Sequence, residues 1–81
     1  MKLAVQLFAG ARKIAGCDAL WIDLPDGSDV AGLRSALGSA HPELAALLPA
    51  ARFAVNLEFA DEQLRLPADA EIALIPPVSG G

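Results

Sequence analysis

The sequence predicts an α+β domain, and three observations carry that reading. Apolar residues alternate at period two in "MKLAVQLF", "CDALWIDL", "RFAVN" and "EIALIP", the pattern of half-buried strands. A single stretch, residues 30–40, repeats apolar residues at the i, i+3, i+7 spacing of one buried helical stripe. One helix of that length cannot cover both faces of a parallel sheet. A mixed sheet of four to five strands with one main helix packed on one face follows.

Taken in order, Leu3, Val5 and Leu7 share one face of the first strand, and Lys2, Ala4, Gln6 and Phe8 the other. "AGARKIAG" carries Ala9, Arg12, Lys13 and Gly16 at helical spacing; its length allows a short helix of one or two turns, closed by Gly16. In the second strand Leu20, Ile22 and Leu24 oppose Ala19, Trp21 and Asp23, and "PDG" supplies a turn. Ser28 is expected to cap the main helix, with Asp29 in its first turn. Val30, Leu33, Leu37 and Ala40 form its buried stripe, and Arg34 and Ser35 its wet side. "PELAALL" reads as a separate short turn of helix after the break at His41 and Pro42. "RFAVN" is a strand, Asn56 opens a tight turn into a short return strand, and "DEQLRLPADAE" is a polar loop pinned by Leu64 and Leu66. "EIALIP" closes the domain, placed beside the first strand in the middle of the sheet.

Composition narrows the function classes. At 81 residues the chain makes one domain, and 54% apolar against 20% charged residues puts it outside the disordered class. One cysteine, with no CxxC and no His-rich cluster, offers neither a disulfide nor a metal site and suits a reducing compartment. A net charge of −4, with six scattered basic residues, argues against nucleic acid and suits a basic protein partner better. "IAGC" at residues 14–17 imitates a lipidation box, but Gln6 interrupts the apolar stretch before it and Arg12 and Lys13 occupy the cleavage region. No run approaches the ~20 apolar residues of a membrane span, so no membrane role and a cytoplasmic location are expected.

Two features remain. If the strands bury the residues named above, the other face shows Ala4, Phe8, Ala19, Trp21, Ala54, Ala73 and Ile75, too apolar for a face meant only for water. A one-residue slip would exchange these faces, and after the turn at Asn56 the alternation leaves the direction of Phe59 open. The second feature is the ending "IPPVSGG". Pro76 and Pro77 stiffen the exit from the sheet, Val78 can anchor in a groove, Ser79 is small, and Gly80 and Gly81 present a carboxylate free of side chains. Such an end can thread a narrow channel into another protein's active site, where the carboxylate is activated by adenylation and takes a nucleophile. Within the chain itself there is no phosphate loop, no HExxH and no nucleophile elbow. Asp61 and Glu62 read as a solvated turn, Cys17 as a small hydrophobe and His41 as a helix-end residue.

"LFAGARKIAG", "AVN" and above all "EIALIPPVSGG" resemble the small subunit of molybdopterin synthase, the MoaD-like sulfur carriers of the ubiquitin-like β-grasp group. The resemblance spans essentially the whole chain. It implies a β-grasp domain over residues 1–75 and an extended tail over 76–81. It further implies that an E1-like (MoeB-like) enzyme adenylates Gly81 with ATP and that persulfide sulfur displaces AMP to leave a thiocarboxylate. The tail, Pro77, Val78, Ser79 and Gly80, would then enter the MoaE-like large subunit and give sulfur to cyclic pyranopterin monophosphate, building the molybdopterin dithiolene. Catalytic residues would lie on the large subunit, no cofactor or metal would be held by this chain, and Phe8, Arg12, Phe59 and Ile75 would dock its partners. Ile75 stands where the family commonly has an aromatic, and Leu57 follows Asn56 where a more turn-friendly residue is expected, which implies a looser hairpin. A carrier for thiamin thiazole synthesis, a ubiquitin-like modifier of lysines and a module with an inert tail are the other readings.

Overall fold

The computed structural model describes residues 1–77. Five strands form one mixed sheet: β1 (Lys2–Leu7), β2 (Ala19–Asp23), β3 (Arg52–Val55), β4 (Glu58–Phe59) and β5 (Ile72–Ile75). Their spatial order is β2-β1-β5-β3-β4, with β1 parallel to β5 and every other pair antiparallel. The first and last strands therefore lie side by side, as their uninterrupted alternation predicts.

The short helix α1 (Ala9–Ala15) joins β1 to β2, and Gly16 ends it in the left-handed region at φ 75°, donating its N–H to the Arg12 carbonyl. The main helix α2 (Val30–Ala40) buries Val30, Leu33 and Leu37 against the sheet residues Leu3, Val5, Leu7, Ile22, Phe53, Val55, Ile72 and Leu74. The stripe stops there: Ala40, expected in it, is exposed. Asp29, not Ser28, caps α2, its Oδ1 accepting the Gly32 N–H at 2.8 Å. Ser28 is occupied elsewhere, its hydroxyl donating to the Pro25 carbonyl to close the preceding turn.

After α2 come two 3₁₀ turns, Pro42–Leu44 and Leu48–Ala50, in place of one helical turn; each drops a leucine, Leu44 and Leu48, into the core. The expected turn at Asn56 is a two-residue hairpin with φ 51° at Asn56 and 72° at Leu57. It is tight rather than loose, and Leu57 accepts a left-handed backbone to make it so. The long loop before β5 is pinned by Leu66 and Ala70, whereas Leu64 is exposed. It also satisfies the start of α2: Val30 N–H donates to the Leu64 carbonyl, Ala31 N–H to that of Glu62, and Leu66 N–H returns to Ser28.

Arg34 leaves the wet side assigned to it. Its guanidinium holds both Glu62 oxygens, at 3.0 and 2.8 Å, donates to the carbonyls of Leu48 and Ala51, and lies 5.0 Å over the Phe53 ring. Glu62 is accordingly an ion-pair partner rather than a free solvated carboxylate. Among the described residues no helix is long and apolar enough to cross a membrane.

Candidate functional site

Strand parity builds the site. With Leu3, Val5, Leu7, Ile22, Phe53, Val55, Ile72 and Leu74 turned to the core, the alternate residues face away from α2. The register lines up Ala19, Gln6, Ala73, Ala54 and Phe59 as one row across all five strands. Opposite Ala54, Phe59 takes the uncovered face, which settles the direction that alternation left open. Three alanines in five positions leave a low floor. From it rise Phe8, Phe59 and Trp21, 46%, 58% and 65% exposed. An apolar face with such relief is of the kind that protein contact surfaces present.

The end of this face nearest the chain's exit holds the other candidate residues. β1 ends at Leu7, opposite Leu74, so Phe8, the first residue past that strand, follows Leu7 as Ile75, the last residue of β5, follows Leu74. Phe8, Ala9 and Gly10 form one wall of a groove of about 480 Å³, and Ile75, Pro76, Pro77 and Leu47 the rest. Ala9 sits at its rim with φ 48°, a backbone that alanine rarely adopts. Pro77, exposed, is the last described residue. Arg12 stands one turn along α1 from Phe8, with its side chain more than half exposed and 3.8 Å from the Asp18 carboxylate. Val78, Ser79, Gly80 and Gly81 lie outside the described residues. Phe8 and Ile75 are thus brought together, Phe59 lies two strands further on, and Arg12 stands beside the groove-forming helix start.

Trp21 is on the same face but at its far end, beside Ala4, where a smaller cavity of about 200 Å³ is lined by Lys2, Ala4, Trp21, Ala68, Asp69 and Ala70. On the sheet itself, Arg52 escaped sequence reasoning. Arg52 is paired with Ile75 in the register and lies 4.0 Å from the centre of the Phe59 ring, in the middle of the candidate docking surface. Its parity, opposite to Phe53 and Val55, was the available signal.

The chain therefore has the ubiquitin-like β-grasp fold, a mixed five-stranded sheet holding one main helix, with an apolar outer face running to the point where the chain leaves the sheet. It belongs to the ThiS family, whose model matches residues 5–81. A molybdopterin synthase sulfur carrier subunit of Dictyostelium discoideum is 38% identical over 80 residues, covering 95% of this chain and 93% of that protein. Among solved structures, the small archaeal modifier protein 1 of Haloferax volcanii is similar with 28% identity and a TM-score of 0.83, over 95% of this chain and 98% of that one. A complex of subunits 1 and 2 of the molybdopterin-converting factor from Helicobacter pylori contains a similar chain with 27% identity and a TM-score of 0.70, each chain covered in full.

Proposed function

We propose that this chain is the sulfur-carrying small subunit of a molybdopterin synthase, and that its own C-terminus is the reacting group. The observation that carries the reading is the continuity of the apolar face with the exit of the chain: Ile75 belongs to the face, and the next residues, Pro76 and Pro77, line the groove. A protein docked there receives the following residues, Val78 to Gly81, directly. The similarity to named sulfur carrier subunits and to a chain found in complex with a second converting-factor subunit supports it.

The chemistry asks little of this domain beyond delivery. In the first step a carboxylate oxygen of Gly81 attacks the α-phosphorus of ATP on an adenylating enzyme and pyrophosphate leaves. A persulfide sulfur then adds to the acyl carbon and AMP departs; a thiol reduces the resulting acyl disulfide and frees the thiocarboxylate. Its sulfur is a better nucleophile than carboxylate oxygen. Docking on the large subunit holds that sulfur against cyclic pyranopterin monophosphate, supplying proximity and excluding water that would hydrolyse it.

The test is the intact mass of the protein isolated from its own cells, with the terminal peptide fragmented. One oxygen exchanged for sulfur at Gly81, together with a co-purifying synthase large subunit, is the expected result. A thiocarboxylate delivered to a thiazole-forming enzyme would make it a thiamin carrier. Diglycine remnants on lysines would make it a modifier, the second reading, which the similarity to a small archaeal modifier protein favours. An unmodified terminus without partner would leave an inert module.

A further inference from the structure

Arg52 is out of place in a surface built for apolar contact. It lies on the uncovered face between Ile75, its register partner on β5, and Phe59, over whose ring its guanidinium sits at 4.0 Å. The other charged residues that strand parity puts on this face, Lys2 and Asp23, are directly opposite each other in the β1/β2 register at the end of the face farthest from the groove. Arg12, at the groove's edge, has Asp18 within 3.8 Å. Among the described residues Arg52 has no carboxylate within 4 Å, and its side chain donates no hydrogen bond; Lys2 has no carboxylate that close either, but it lies at the far end of the face beside Trp21, away from Ile75 and Phe59.

A partner that covers Ile75 and Phe59 also covers the residue between them. Removing a guanidinium from water without an acceptor is strongly unfavourable, whereas a carboxylate meeting it in the planar, two-pronged geometry offsets that cost. Stacking on Phe59 has already restricted the guanidinium, so its fork of N–H donors is presented in advance of binding. We propose that Arg52 is a specificity-determining cation of the docking face and receives an acidic side chain of the synthase large subunit. The inference rests on the sulfur-carrier reading above. It goes further by giving the partner surface a required chemistry: an Asp or Glu set within an apolar patch.

The experiment measures binding of the full-length chain to the synthase large subunit of the same organism, by calorimetry and stopped flow over a range of salt concentrations. Arg52→Leu, Arg52→Glu and Arg52→Lys are compared with wild type and with Phe8→Asp. Because Arg52 is exposed, its variants should keep the fold, verified by an unchanged circular dichroism spectrum. Arg52→Leu should weaken binding about 30-fold or more although it makes the face more apolar, and should flatten the salt dependence. Arg52→Glu should be weaker still, rescued in part by replacing an acidic residue of the large subunit with Arg, and Arg52→Lys should fall between wild type and Arg52→Leu. Equal or tighter binding by Arg52→Leu with an unchanged salt slope would overturn the inference. If Phe8→Asp then still abolishes binding, the docking face stands and only the role of Arg52 falls; if Phe8→Asp also binds like wild type, the docking reading itself has failed.

Discussion

Arg34 shows how much one side chain can hold in a domain this small. It ties α2 to the 3₁₀ turn through the carbonyls of Leu48 and Ala51, and to the following loop through both oxygens of Glu62. Arg34→Ala strips these partners at once and removes a stem packed near Phe53. A loss of about 2–3 kcal/mol in urea denaturation is expected, chiefly from the Ala51 carbonyl and the Glu62 carboxylate losing their donor, since the Leu48 carbonyl keeps the Ala51 N–H. Hydrogen bonding to Arg34, aided by its charge, lowers the Glu62 pKa from its ordinary 4.5. The unfolded chain therefore binds the proton first as pH falls. The contribution of the pair is fully present above about pH 4.5 and drains away below it, and Arg34→Met should flatten this acid limb of the stability curve. Partial exposure of both groups keeps the effect modest. Leu57 is the opposite case, a residue that costs stability where it stands. It is 87% exposed at φ 72°, so Leu57→Gly loses little packing and relieves a left-handed backbone. A gain of about 0.5–1 kcal/mol, net of the added freedom of the unfolded chain, should appear as a higher Tm.

At the scale of elements, alternation was enough to assign the faces of β1, β2, β3 and β5, because each has one side pressed on α2 and period two then fixes the other. It failed at β4, whose two residues are too few to show a period; only the pairing of Phe59 with Ala54 assigns its side. Local signals misled where two residues compete for one role. Ser28 and Asp29 are both good caps, and the turn at Pro25 claims the serine before the helix can. Arg34 could not be placed from helical spacing alone, since its partners Leu48, Ala51 and Glu62 come from segments whose path no periodicity reveals. The groove was legible only in part: Phe8 and Ile75 follow from strand parity, but Leu47 and the strained Ala9 depend on the loop path and on how β1 turns into α1. The face makes its own prediction. Phe8→Asp puts a carboxylate into the apolar surface while Phe8 is already 46% exposed, so Tm should change little as binding to the synthase large subunit disappears. Ile75→Asp should abolish binding too, with a lower Tm, because Ile75 is half-buried.

On the scale of the whole molecule, net charge is a poor guide to the partner. The chain carries −4 overall, which favours a basic partner at long range. The face that would meet that partner nevertheless carries an uncompensated Arg52, so steering and final contact need not share a sign. The same separation holds between folding and chemistry. Among the described residues the buried core runs from Leu3 to Leu74, and every backbone pairing of the sheet ends by Ile75. A chain ending at Pro77 therefore keeps all 18 core residues, together with Arg52, Phe59, Ile75 and the groove. Its Tm should lie within about 2 °C of the full chain, since every core residue and strand pair of the described residues is kept. It should still compete for the docking face of the large subunit, but more weakly, having lost whatever Val78 and the residues after it contribute. It should accept no sulfur and support no molybdopterin formation, because the carboxylate it presents is attached to a proline at the mouth of the groove instead of to a glycine four residues beyond it. Adding the truncated chain to a synthase assay should then inhibit the full-length carrier competitively. A truncated chain that melts far lower would show residues 78–81 to be part of the fold, and one that failed to compete would show that the tail, and not the face, carries the docking energy.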